Sequence, residues 1–215
     1  PLKVDALLSA DIHSFPSLRY GSYRPSTGTW FRAQIARRFG RSCHVSMRYA
    51  IREKERNVPY NDSAVYIGEQ TLRRQLMGEM RWELGSWQLA TKAAWSYFDS
   101  ENSGGKAGWL VSQQVRYTQG PMQATLAATI FDVKDYYARI YLAETNLQYN
   151  FTMPMYYGQG ARLYAVARCN IGRNFTVAAK YAITHYFDRQ SVGSGAAETD
   201  GSNRQTLCLQ LRLKF

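Results

Sequence analysis

Three histidines, His13, His44 and His185, are the first side chains to test for chemistry. His13 follows Asp11 by two positions, so on an extended chain the pair shares one face and could act as an acid–base couple. His185 stands beside Tyr186 and close to Asp188, which suits an interfacial residue better than a base. Neither a G-x-S-x-G elbow nor an H-E-x-x-H zinc motif occurs. Gly193-Ser194-Gly195 would make a phosphate-binding turn only ahead of a helix, and no helical pattern follows it. Cys43, Cys169 and Cys208 lie far apart without a C-x-x-C pair, so neither a zinc site nor a disulfide framework is expected. The sequence predicts no catalytic centre, no metal and no cofactor.

What remains is charge. The 215 residues carry 27 Lys+Arg against 16 Asp+Glu, a net charge of +11. That balance admits anionic partners such as nucleic acid, lipopolysaccharide or acidic sugars without choosing among them. A hydrophobic share of 45% excludes a disordered tail, and no stretch approaches the ~18 apolar residues of a membrane-spanning helix. The chain opens on Pro1 with no charged-then-apolar leader, which reads as a mature form or a fragment.

The elements that must position these charges show in an alternation of period two. Leu207, Leu209, Leu211, Leu213 and Phe215 fall on one face of the last segment, and Thr206, Cys208, Gln210, Arg212 and Lys214 on the other. The same holds for Phe175, Val177, Ala179, Tyr181 and Ile183, and for Cys43, Val45, Met47, Tyr49 and Ile51. Further copies run over 2–13, 29–39, 70–84, 87–98, 108–118, 122–131 and 161–171. A helix would return its apolar residues every third or fourth position; these segments are strands.

Most of them span ~10–13 residues, beyond the ~5–6 of a typical soluble strand and near the ~9–11 that cross a bilayer. Short turns at 39–42, 85–86, 119–121 and 170–174 alternate with long polar loops at 14–28, 56–69, 99–107 and 189–204. This is the layout of an antiparallel transmembrane β-barrel with short periplasmic turns and long extracellular loops, one domain over 1–215. Residues 132–160 read either as one excursion, giving ten strands, or as two more strands, Tyr136–Ala143 and Leu147–Met153, giving twelve. The alternation of Leu147, Tyr149, Phe151 and Met153 favours twelve.

A soluble all-β barrel with its apolar face inward is the competing fold. Against it stand a polar face rich in long charged side chains and aromatic residues gathered near strand ends. Trp30, Phe31 and Phe39, Trp82 and Trp87, Trp95 and Tyr97, Trp109 and Tyr117, and Tyr186 and Phe187 would form headgroup-level girdles. The closing strand also resembles the terminal signature by which outer-membrane barrels are recognised for assembly, with Phe215 as its final aromatic.

With apolar residues toward lipid, the other face lines a lumen. Its candidate basic residues are Arg32, Arg48, Arg52, Arg73, Arg81, Lys92, Arg116, Arg162, Arg168, Lys180 and Arg212. Lys3, Arg38, Lys54 and Lys214 extend the set, against Asp5, Asp11, Glu79 and Glu83. A charge in hydrocarbon costs ~2–4 kcal/mol at the midplane, so an inward position is expected. Such a lumen is either a structural network filling a narrow barrel or an anion-favouring channel; the small interior favours the network. Arg37 and Arg74 fall on the lipid face, near strand ends from which they can snorkel. The loop Ser17–Arg24 interleaves basic and aromatic residues, as a nucleic-acid surface or a lipopolysaccharide-facing loop would.

Longer segments carry a family resemblance. Arg52-Glu53-Lys54-Glu55-Arg56-Asn57, Met153-Pro154-Met155-Tyr156-Tyr157-Gly158-Gln159-Gly160-Ala161-Arg162, and Asp188-Arg189 with Gly193-Ser194-Gly195 resemble a Bacteroidota outer-membrane family. Its members are labelled helix-hairpin-helix or ComEA-like, after a small module ahead of a C-terminal barrel. The resemblance implies that this chain is the barrel portion, sited in the bacterial outer membrane. It implies as partners the membrane lipid, lipopolysaccharide and the barrel-assembly machinery. The expected role is a small pore for an anionic solute or an anchoring barrel; DNA binding or uptake and a barrel hydrolase are the alternatives.

Overall fold

The structure is a computed structural model that describes residues 4–15, 26–59, 66–101, 104–193 and 195–214. It is all-β. Seven strands follow in order: β1 (Val4–Phe15), β2 (Ser26–Phe39), β3 (Cys43–Pro59), β4 (Tyr66–Leu84), β5 (Trp87–Ser100), β6 (Lys106–Gln119) and β7 (Met122–Val133). After an excursion holding the two-residue strands β8 (Ile140–Tyr141) and β9 (Met155–Tyr156) come β10 (Gly158–Ile171) and β11 (Phe175–Tyr186). A small ribbon of β12 (Ser191–Val192) and β13 (Thr199–Asp200) precedes β14 (Asn203–Leu213).

Ten strands form one antiparallel sheet in the order β1-β2-β3-β4-β5-β6-β7-β10-β11-β14. Among the described residues β1 and β14 do not pair with each other, so the sheet has two edges. All ten segments expected from the alternation are present. The further pair is not. Tyr136–Ala138 is a 3-10 turn, only Ile140–Tyr141 and Met155–Tyr156 pair, and Leu147–Met153 forms no strand. Tyr149 sits at φ 63°, in left-handed backbone that ends the apparent alternation. The count of twelve is therefore corrected to ten.

The loops are shorter than expected as well. Strands β3 and β4 run to Pro59 and from Tyr66, so most of 56–69 is ladder. Glu55 and Arg56 follow each other there with Gln70 and Glu69 opposite, so apolar and polar residues do not alternate and the hydropathy pattern hides the strands. Arg56 and Glu69 are Cα partners there, and their ion pair closes at 2.9 Å. At the other end the turns are tight. Gly85 opens the two-residue turn between β4 and β5 at φ 61°, a conformation glycine takes without steric cost.

Register separates two faces. One presents Ile12, Ile35, Met47, Trp95, Trp109, Leu126, Ile130, Leu163 and Leu209 to the surroundings, from 38% exposed at Trp95 to 87% at Ile12. The other, the inner face, carries Leu110, Ser112, Thr125, Thr129, Phe131, Tyr164, Val166 and Lys180, all buried. On β5 the exposed Trp87 and Trp95 stand eight residues apart, and on β6 their partners Tyr117 and Trp109 repeat the spacing. Two aromatic rows result, about 27 Å apart at ~3.4 Å per residue. Trp30 and Tyr186 do not join them. Trp30 pairs with Arg52 on the inner face, and Tyr186 packs against the buried Phe131 cluster.

Residues 134–157 lie against the inner face. Lys92 on β5 and Lys180 on β11 belong to strands four steps apart, about 19 Å on a flat sheet at ~4.8 Å per step. Their ammonium groups nevertheless reach adjacent residues, the Ala143 carbonyl and the Glu144 carboxylate, which marks the sheet as curled around the insert.

Close strand contact makes one glycine sensitive. A Cβ at Gly160 would collide with the His185 backbone carbonyl and the Phe131 ring, whereas at Gly78 it meets nothing within 4 Å. Gly160→Ala is expected to lower stability by about 1–3 kcal/mol through overpacking, and Gly78→Ala to leave it nearly unchanged. Urea-unfolding midpoints of the two variants measure the contrast.

Candidate functional site

The insert leaves the sheet after Val133 and rejoins it at Gly158, and these two residues are Cα partners across β7 and β10. Asp135 starts it by accepting a hydrogen bond from the Tyr137 amide at 2.8 Å, which caps the 3-10 turn. From there Ala138, Ile140 and Leu142 alternate inward and pack with Ala94, Phe98, Leu110, Phe131 and Tyr156. Leu147 reaches a second cluster with Ala127, Tyr164, Val166, Ala178 and Ala182. Burial of each Leu or Ile contributes about 1.5–3 kcal/mol, so apolar packing holds the segment in place. Its polar groups must then find partners on the same wall.

They find the basic residues. Glu144, with its side chain 1% exposed, takes Arg162 in a two-point ion pair, Nε to Oε1 at 2.6 Å and Nη2 to Oε2 at 3.0 Å. Lys180 Nζ approaches Oε2 at 3.1 Å, and Tyr156 donates its hydroxyl to Oε1 at 3.1 Å. The spare Arg162 nitrogen, Nη1, donates to Thr184 Oγ1 at 2.8 Å. Burial pushes the Tyr156 phenol above its ordinary range, and the neighbouring carboxylate adds to this, so it remains a donor.

A second group flanks the clamp. Gln114 Oε1 accepts from the Tyr164 hydroxyl at 2.8 Å and from Thr145 Oγ1 at 3.2 Å, while Arg116 Nη2 donates to Thr145 at 3.0 Å. Lys92 donates to the Ala143 carbonyl at 3.3 Å, and Arg73 to the Arg139 carbonyl. On β14, Gln210 exchanges two hydrogen bonds with the Gln148 backbone, and Arg212 donates to the Gln148 side chain.

Six of the candidate basic residues thus converge on the insert: Arg73, Lys92, Arg116, Arg162, Lys180 and Arg212. Register places the others on the same face but not on the insert. Arg32 lies over Trp30 at 4.2 Å, Arg48 meets Met77 Sδ at 2.9 Å, and Arg81 pairs with Glu79 at 2.6 Å. Arg52 stands opposite Arg73, and Arg168 opposite Gln123 and Ala178. Arg37 and Arg74 are on the exposed face, Arg37 against the Phe39 ring at 4.5 Å. Lys3, the loop Ser17–Arg24 and Phe215 lie outside the described residues, as does the His13 side chain.

No match to this chain emerges from comparison with family models, curated proteins or solved structures. The clamp therefore has to be read from its own geometry.

Glu144, the centre of that geometry, is absent from the residues singled out in the sequence. A signal for it exists. Between Asp135 and Asp188 it is the sole carboxylate, against Arg139, Arg162, Arg168, Arg173 and Lys180. A lone acid among five cations in a mostly apolar stretch must pair if it is buried. His185 is also placed. Its Nδ1 lies 2.8 Å from Asn203 Oδ1 and 3.3 Å from Ser202 Oγ on the exposed face. Both contacts fall on one nitrogen, whereas a nucleophile–base–orienter relay needs them on opposite nitrogens. Among the described residues no group of three or more His, Cys, Asp or Glu could hold a metal ion, and the three cysteines are free thiols.

Proposed function

We propose that the chain is an outer-membrane β-barrel, or the wall of one, whose basic inner face holds residues 134–157 as a plug. It serves as an anchored, normally closed barrel, and anions pass only when the plug is displaced. The observation that carries this reading is the convergence of six inward cations on one segment whose carboxylates are only the capping Asp135 and the clamped, buried Glu144.

Two further features support the membrane setting. The exposed face carries large apolar side chains on every strand of the ten-stranded sheet, from Ile12 on β1 to Leu213 on β14, whereas soluble monomers tolerate apolar patches of only a few hundred Å². The aromatic rows, about 27 Å apart along strands tilted ~40°, bracket a band of about 21 Å, somewhat below the ~25 Å of outer-membrane barrels. The turn ends then face the periplasm and the loop ends the exterior, with lipid and lipopolysaccharide as surroundings. The resemblance to the helix-hairpin-helix family adds a periplasmic module that such a barrel would tether.

In hydrocarbon no backbone donor or acceptor can stay unpaired, so the edges β1 and β14 must both be hydrogen-bonded in the membrane form. Hydrogen–deuterium exchange on the protein in lipid nanodiscs is expected to protect the amides of Val4–Phe15 and Asn203–Leu213 as strongly as those of β6. Fast exchange along both edges, or full solubility without detergent, overturns the membrane reading.

A further inference from the structure

A cavity of about 600 Å³ lies between the insert and the loop-side ends of β10, β11 and β14. Sites for small molecules occupy ~300–1,000 Å³. Its wall carries four cations, Arg162, Lys180, Arg189 and Arg204, and no carboxylate. Arg162 and Lys180 share the single charge of Glu144 behind the wall. Arg189 is matched by Asp188 at 2.9 Å, and hydrogen bonds from Arg189 hold that carboxyl below its usual range, so it stays ionised. Arg204 makes no ion pair among the described residues. Four cations less two carboxylates leave the cavity with a surplus of two positive charges.

The rest of the lining suits a ring with hydroxyl groups. The Arg189 guanidinium lies over both Tyr157, at 5.0 Å, and Tyr186, at 4.4 Å, which fixes the two rings. Tyr136 meets Tyr157 edge-on at 5.5 Å. Thr152, Thr184 and Thr206 also line the cavity, the first two accepting hydrogen bonds from Asn146 and Arg162. Aromatic faces take the C–H side of a sugar, threonine hydroxyls take its O–H groups, and surplus guanidinium charge takes an oxyanion.

We propose that this cavity binds an acidic saccharide, a sugar unit carrying a phosphate or carboxylate, with Arg204 on the anion and Tyr157 against the ring. The site depends on the insert being seated, as in the plugged-barrel reading, and not on the kind of membrane around it.

Calorimetric titration of the whole protein in detergent micelles with glucose 6-phosphate and with glucuronate tests this. Both are expected to bind saturably and glucose not to. Arg204→Gln, at the exposed end of β14 and outside the Glu144 clamp, should weaken both about tenfold, since a charge-assisted bond is lost. Tyr157→Ala should weaken them similarly. Limited proteolysis of 134–157 in the same samples reports separately whether the insert is seated. No saturable binding by a protein whose insert is protected overturns the saccharide proposal alone. Undiminished binding by Arg204→Gln, equal binding of glucose, or tighter binding of adenosine 5′-monophosphate overturns it too. Displacement by delipidated, phosphorylated core oligosaccharide supports it with lipopolysaccharide as the source. Glucose 6-phosphate binding that the oligosaccharide leaves intact supports it with a free sugar phosphate.

Discussion

Replacing Glu144 by alanine is expected to destabilise the fold by about 3–5 kcal/mol and to free residues 134–157 from the inner face. The cost comes from what remains. Lys180 and Arg162, with side chains 4% and 11% exposed, would keep their charges in a buried site with no counterion. Tyr156 would lose its acceptor at the same time. Urea unfolding and proteolysis of the insert measure the two effects; an unchanged midpoint with a protected insert sinks the clamp.

Acid should act on the same carboxylate. Burial alone would push Glu144 up, but the Arg162 hydrogen bonds and charge, then those of Lys180, outweigh it and hold the group below its usual ~4.3. A depressed carboxylate stabilises the folded state fully above its unfolded value, and that contribution disappears as pH falls through the lower folded value. The seated insert should therefore be insensitive between neutral pH and about pH 5, then loosen below about pH 4. Glu144→Gln should lack this acid step. A variant with the same pH profile as the parent chain would assign the loosening to other groups.

The sheet was legible because its two faces meet different surroundings. Leu209 and Leu211 are exposed at 75% and 72%, and their neighbours Cys208, Gln210 and Arg212 turn toward the insert. Period two therefore survives in the sequence wherever a strand separates an apolar exterior from a polar interior. It fails where that separation is missing. On β3 and β4 just beyond Lys54 consecutive positions Glu55 and Arg56, opposite Gln70 and Glu69, are all polar, so Arg56 and Glu69 gave no hydropathy signal although they pair directly. Over Leu147–Met153 the alternation was present without a strand. Leu147 is buried among β10 and β11 side chains, while Tyr149 and Phe151 are exposed at 89% and 78% and no strand pairs with them. Four alternating residues carry no information about whether a partner strand exists.

The basic residues show the same divide. Their common face followed from parity alone, but their partners did not. Arg73 and Lys92 bind backbone carbonyls of the insert, and any sequence offers those at every position. Arg116 and Arg212 bind Thr145 and Gln148, neutral side chains that no charge count selects. Only the Glu144 clamp left a trace in composition, as one acid among many cations. A basic wall clasping mainly neutral acceptors stays positive when occupied, so its charge remains available to anions at the mouth.

Excising the insert should convert a closed structure into an anion-preferring one. Val133 and Gly158 already face each other across β7 and β10, so a tight glycine-rich turn can replace 135–156 without stretching the ladder. The excision exposes Arg73, Lys92, Arg116, Arg162, Lys180 and Arg212 together and removes Glu144 with the segment. It also uncovers Leu110 and Phe131, so some loss of stability accompanies it. In planar bilayers the parent chain is expected to insulate, and the excised form to open in steps whose reversal potential under a KCl gradient moves toward chloride. A wall in which guanidinium and ammonium groups outnumber carboxylates concentrates anions and repels potassium, which fixes that sign. An excised protein that still insulates would place the barrier elsewhere, and one that prefers potassium would mean the six cations do not line the path. Steady conductance in the parent chain would remove the plug from the mechanism altogether, since a seated insert held by Glu144 leaves the inner face occupied rather than open.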